Sequence, residues 1–173
     1  MKIMVSVGTH EQPFQRLLDA AADVLAARPQ DEWIVQFGVG RWSVRRDGVR
    51  STDYLDAVAM QDALRWADVL VSQASPGNVF GALAAGTWPL VLGRSRAEGE
   101  HVDDHQIRFA RTLDGLGRAT DLVRPERLDQ ALTAYARVPL EDREARIERA
   151  VSAARANERT FRREVWDALG VTG

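Results

Sequence analysis

Apolar residues fall along the chain in two alternating rhythms. Ile3–Val7, Trp33–Phe37, Asp68–Ser72 and Pro89–Leu92 are short, largely apolar and β-branched runs bounded by turn residues. Runs of that length predict strands buried on both faces of a sheet. Weaker runs at Thr52–Leu55 and Ala119–Val123 predict two more. Between them the period lengthens. Phe14, Leu17, Leu18, Ala21, Val24 and Leu25 recur at helical spacing, with Pro13 placed for a first turn. Met60–Trp66, Val79–Ala85 (closed by Gly86), His105–Leu116 and Glu126–Ala136 predict further helices. Strand and helix in repeated alternation imply right-handed crossovers, hence an α/β fold: a Rossmann-like parallel sheet with helices on both faces.

Two segments break the rhythm. Gly38–Arg50 holds three glycines and four arginines and reads as a long surface loop, either simply solvated or functional. The segment 141–169 is charged, alanine-rich and free of glycine and proline. Its Ile147, Val151, Ala154, Phe161, Val165 and Leu169 fall on or near one helical stripe, which either packs on the domain's own sheet or docks a partner. A length of 173 residues suits one domain over 1–173, with a core in 1–136 and the helical segment 141–169 behind it.

Composition narrows the function classes. The formal net charge of −2 gives no global pull toward nucleic acid. There is no cysteine, which excludes disulfides, thiolate metal sites and cysteine nucleophiles. The three histidines, His10, His101 and His105, lack the spacing of a metalloprotease helix. The opening apolar stretch is too short for a signal h-region or a membrane span, so a cytoplasmic location is expected.

In open α/β sheets ligands bind beyond the carboxyl ends of the strands, so the loops there carry the candidate chemistry. Gly8-Thr9-His10-Glu11-Gln12-Pro13 follows the first strand; Gly8 permits close backbone approach and the next helix N-terminus attracts anions. The same residues also suit a plain strand-to-helix turn capped by Thr9. Ser72–Val79 follows the fourth strand, and its small residues (Ser75-Pro76-Gly77-Asn78 among them) open a helix whose N–H groups and dipole face the turn. It is neither GxxxxGK[ST] nor GxGxxG. Gly99-Glu100-His101-Val102-Asp103-Asp104-His105-Gln106 is a dense donor and acceptor cluster at a helix start, of which a cap at Asp103 or Asp104 explains only one residue.

Taken together, Val5–Phe14, Ala67–Ser72, the Pro76-Gly77 turn, Ala82–Gly86 and Gly99–Gln106 resemble the glycosyltransferase family 28 C-terminal type over roughly residues 1–130. The resemblance implies the C-terminal, donor-binding half of a GT-B glycosyltransferase that needs no metal or other cofactor and works with a membrane-associated partner subunit. It places Gly8 and Thr9 at the diphosphate of a UDP-sugar together with Gln73, Ser75, Gly77 and Asn78, and Met60 near the uracil. It places Asp104, His105 and Gln106 in the nucleotide-sugar site, and His10, Glu100 and His101 as candidates for the chemistry. Transfer of a hexose or N-acetylhexosamine to a lipid-linked or other acceptor follows, at the cytoplasmic face and without nucleic acid or a transmembrane segment.

Two departures from the family pattern bear on this. Histidine and glycine are usual where this chain has Gln73, Ala74 and Ser75, and a ribose-binding glutamate is usual where it has Gly81. Loss of that carboxylate removes a charge-assisted hydrogen bond of about 1.5–3 kcal/mol. The alternatives are a non-catalytic scaffold or enhancer subunit, or a different nucleotide-binding Rossmann protein such as an epimerase fragment.

Overall fold

Short β-branched runs are stiff at χ1 and bury well between two layers of helix. The computed structural model describes the backbone of residues 1–168 and the side chains of residues 1–156. Its strands are β1 (Lys2–Ser6), β2 (Glu32–Gln36), β3 (Val49–Thr52), β4 (Val69–Gln73), β5 (Trp88–Leu92) and β6 (Thr120–Asp121). Its helices are α1 (Gln15–Ala27), α2 (Ala57–Trp66), α3 (Pro76–Ala85), α4 (His105–Gly115), α5 (Leu128–Ala136) and α6 (Leu140–Ala168). The strands form one sheet in the order β3-β2-β1-β4-β5-β6, with every neighbouring pair parallel. The direction of travel reverses between β1 and β4, and that switch is where a crevice opens at the carboxyl edge.

One layer of core joins Phe14, just before α1, and Leu17 and Leu18 of α1 to Trp33, Val71 and Leu90 of the sheet and Leu132 of α5. The other joins Met4, Ile34 and Leu70 to Leu64 of α2 and Ala82 of α3. The first part of α6 closes on the domain itself: Ala150 is buried, Ile147 and Val151 pack against the first layer, and the Arg146 guanidinium lies 3.7 Å from the Trp88 ring centroid. Of the expected stripe, Phe161 and Val165 lie outside the described side chains and Leu169 outside the described residues.

Most boundaries lie within a residue or two of the sequence expectation, and three of the differences have a plain physical cause. β3 begins at Val49, three residues before the expected Thr52, and the irregular loop shortens to 37–48. As the sheet edge it is half-exposed and polar, so its position is set by pairing with β2 (Trp33 opposite Val49, Gln36 opposite Thr52) and not by an apolar run. α2 starts at Ala57, before Met60, because the Asp56 carboxylate accepts the Ala59 N–H at 2.8 Å. α3 starts at Pro76, whose fixed φ suits a first helical position, and ends on Gly86 in the left-handed conformation at φ 83°.

The α2–α3 layer is tied to the sheet by one hydroxyl. Fully buried Thr87 donates to the carbonyls of Leu64 (2.5 Å) and Ala67 (3.1 Å) at the end of α2. Thr87→Val keeps the shape and leaves both carbonyls without that partner, so we expect a loss of about 1–3 kcal/mol. A fall in the urea midpoint with an unchanged m-value would report it.

Candidate functional site

At the β1/β4 switch the chain lines a cleft of about 320 Å³. Six of the residues selected from the sequence meet there: Gly8, Thr9, Met60, Gln73, Ser75 and Asn78. Gly77 stands in the first turn of α3 but does not line the cleft. Gln36, Tyr54, Leu55, Asp56 and Ala57 also line it and were not selected. Gln36 closes a predicted strand, and Tyr54–Ala57 were assigned to a strand end or to no element. Only the placement of β2 and β3 beside β1 brings them in.

The floor of the cleft is closely packed. Gly8 has φ 74°, and a Cβ built on it would overlap the Gln73 carboxamide. A side chain there would both strain the backbone and displace Gln73. Behind Gly8, its N–H donates to Ser6 Oγ at 3.4 Å, and Ser6 Oγ–H donates to Gln36 Oε1 at 2.7 Å. Ser6 Oγ thus accepts one proton and gives its own to the Gln36 carbonyl oxygen. Gln36 Nε2 is then buried and unpartnered, and so is Asn78 Nδ2. Ser75, the residue before α3, makes no side-chain cap bond. The cleft thus gathers unpaired amide donors, together with the positive end of α3.

The loop after β5 is held by other bonds. Glu100 is buried, and both its oxygens are engaged by Arg16, at 2.7 and 2.9 Å, with a further bond of 2.9 Å from the Ser95 N–H. Gln106 is buried, and its Oε1 accepts the Arg94 N–H at 3.4 Å. Asp104 accepts the Arg96 N–H at 2.8 Å. None of these three, nor His105, lines the cleft. Glu100 in particular is a carboxylate engaged in an ion pair with Arg16.

The histidines do come together. The His10 and His101 ring centroids are 4.9 Å apart, and those of His101 and His105 are 4.6 Å apart. His10 Nδ1 accepts the Gln12 N–H at 3.2 Å, so the neutral ring carries its proton on Nε2 and presents a donor. His101 Nδ1 is buried without a hydrogen-bond partner, 3.6 Å from Asp103 Oδ1. Burial first, then the neighbouring His105 and His10, holds His101 below the usual histidine range. Asp103 bonds to His105 Nδ1 at 2.5 Å. The ligand atoms of His101, Asp103 and His105 lie within 4.8 Å of one another, a donor set that a divalent transition ion accepts.

Arg94, not selected from the sequence, is 1% exposed and stands behind all three loops. It donates to Gln73 Oε1 (2.6 Å) and to the carbonyls of Gln12 (2.7 Å), Val7 (2.8 Å) and Glu100 (3.1 Å). Nothing in its neighbourhood along the chain signals this role.

The sequence matches the glycosyltransferase family 28 C-terminal domain over residues 2–160. Among curated proteins nothing matches. Of solved structures, it is similar to the glycotransferase of kitacinnamycin at 24% identity and a TM-score of 0.66, covering 88% of this chain and 39% of that one. It is similar to CalG4, the calicheamicin glycosyltransferase, at 18% identity and a TM-score of 0.64, covering 92% and 42%. It is also similar to Os79 from O. sativa in complex with UDP, at 10% identity and a TM-score of 0.63, covering 87% and 35%. The likeness is one of fold, and this chain spans about two-fifths of those enzymes' length.

The lowered His101 has a consequence for stability. The unfolded chain takes up a proton there near about pH 6.5, while the folded chain resists it. The contribution of His101 is therefore complete above that value and is lost as pH falls through the window below it. Between about pH 7.5 and about pH 5.5 the wild type should lose more of its urea midpoint than His101→Gln does. Equal losses would show that His101 carries none of the dependence.

Proposed function

The chain belongs to the glycosyltransferase family 28 C-terminal-domain family, and from that membership we propose that its cleft binds the diphosphate of a UDP-sugar for transfer of the sugar to an acceptor hydroxyl. The observation that carries this reading is the convergence of the unpaired Gln36 and Asn78 amides with the uncapped N-terminus of α3 at the β1/β4 switch. The similarly folded Os79, solved in complex with UDP, supports the choice of nucleotide.

The chemistry follows from where charge develops. As the sugar–phosphate bond breaks, negative charge grows on the departing UDP, and fixed N–H donors stabilise it without reorganising. Gly8, Thr9, Ser75 and Asn78 supply the cradle, with Gln73 beside them and Gly77 behind it in the first turn of α3. Tyr54 and Met60 flank the base, and Asp56 borders the same side of the cleft. His101, held neutral by burial, accepts the acceptor proton, while His10 donates through Nε2 to the diphosphate or the sugar. The acceptor side lies outside this domain, on a membrane-associated partner subunit at the cytoplasmic face. No helix of the described residues is long and apolar enough to cross a membrane. Residues 1–173 act as one donor-binding unit.

Titration with UDP should shift the amide resonances of Gly8–Thr9 and Ser75–Asn78. Unmoved resonances there at millimolar UDP would sink this reading.

A second reading, a scaffold that enhances a partner transferase, is favoured by Gly81. It lies inside α3, and a Cβ there would make only an ordinary 3.6 Å contact with Leu64 Cδ1. The position accepts a Cβ without strain. Under the donor-site reading Gly81→Glu tightens UDP binding about tenfold or more, the scale of one charge-assisted bond. Unchanged affinity, with partner turnover indifferent to Thr9→Ala and Asn78→Ala, would favour the scaffold.

A further inference from the structure

We infer that buried Arg94 is the positioning residue of the diphosphate site: its Nε–H holds the Gln73 carboxamide so that Nε2 faces Gly8 and the cleft, and its charge stands directly behind that donor.

The geometry leaves the amide one orientation. Arg94 offers only donors, so the Gln73 atom 2.6 Å from Nε is the carbonyl oxygen, and Nε2 must point the other way, to the side where a Cβ on Gly8 would meet it. A charged donor on Oε1 polarises the amide and strengthens Nε2 as a donor in turn. The other guanidinium nitrogens grip neutral carbonyls from both flanking loops, and the face packs over Phe14 at 4.8 Å. Arg94 therefore has no carboxylate bonded to it. Glu100, which acts on it through space, is itself bound by Arg16. Two arginines against one carboxylate leave this cluster with one net positive charge at the root of the cleft. Burial lowers the Arg94 pKa to about 10, which keeps it charged at neutral pH.

A neutral glutamine thus stands where the family commonly has histidine, and the cation behind it supplies what a protonated ring would. The site takes the polyanionic portion of its ligand through this pair. The nucleoside is held separately, by Tyr54, Asp56 and Met60. The inference rests on the donor-site reading, and ligand truncation separates the two.

The test is titration of the full chain with UDP, uridine and inorganic pyrophosphate. Arg94→Lys keeps the charge but cannot bridge Gln73 and the three carbonyls together. It should weaken UDP and pyrophosphate by about tenfold, the scale of one charge-assisted bond, and leave uridine unchanged. Added to Gln73→Leu it should cost nothing further, since both act through one donor. Equal weakening of uridine, or full additivity with Gln73→Leu, would overturn the inference and leave a merely structural arginine. Should the Arg94 variant not fold, the wild-type Gln73 side-chain amide and Arg94 Hε resonances decide: both shift on adding pyrophosphate, or the inference fails. Pyrophosphate bound through this pair with no binding of UDP would instead sink the donor-site reading alone.

Discussion

A guanidinium group buried without a carboxylate to bond is an expensive thing to keep in a protein interior, and here the carboxyl edge of the sheet is arranged around one. Arg94 holds the end of β1 through Val7, the loop after it through Gln12, the end of β4 through Gln73 and the loop after β5 through Glu100. Each acceptor is neutral, so the charge is solvated by dipoles instead of cancelled. Arg94 thus fixes the spacing of the segments after β1 and β4, both of which contribute to the cleft. Arg16 and Glu100 brace the same junction from outside by joining α1 to the loop after β5.

The cleft in front of that arginine is lined by neutral donors. Gln36, Asn78 and Gln73 contribute amides, and α3 contributes its N-terminal N–H groups. An anion meeting such a surface is stabilised by fixed dipoles and by one remote cation rather than by a direct ion pair. Such a site does not titrate near neutral pH, because amides and a guanidinium hold their charge states across that range. Beside it, the Gln12 N–H sets the His10 tautomer, and burial holds His101 below the usual histidine range.

The reversal of strand order between β1 and β4 supplies the space for all of this. Helices leave the sheet in opposite directions at that point, so the loops after β1 and β4 part and a crevice opens between them. Helix α6 closes the opposite side of the molecule by packing Ile147 and Val151 on the main core, with Arg146 over Trp88.

The order of elements was legible along the chain because burial on both faces forces continuous apolar runs, and helices must show their longer period. For the same reason Gly8, Thr9, Gln73, Ser75 and Asn78 could be chosen: turn residues after buried strands fall at the edge where ligands bind. The polar edge strand β3 and its neighbours Tyr54–Ala57 were not legible, since register with β2 places them and exposed strands carry no apolar signature. The roles of Glu100 and Arg94 were beyond reach as well. A charged residue reads the same in sequence whether it faces solvent, a substrate or a partner 84 positions away, as Glu100 faces Arg16. Local periodicity therefore determined the fold, while long-range pairing of charge, available only once the loops meet in space, decided which polar residues brace the site and which are left free to bind.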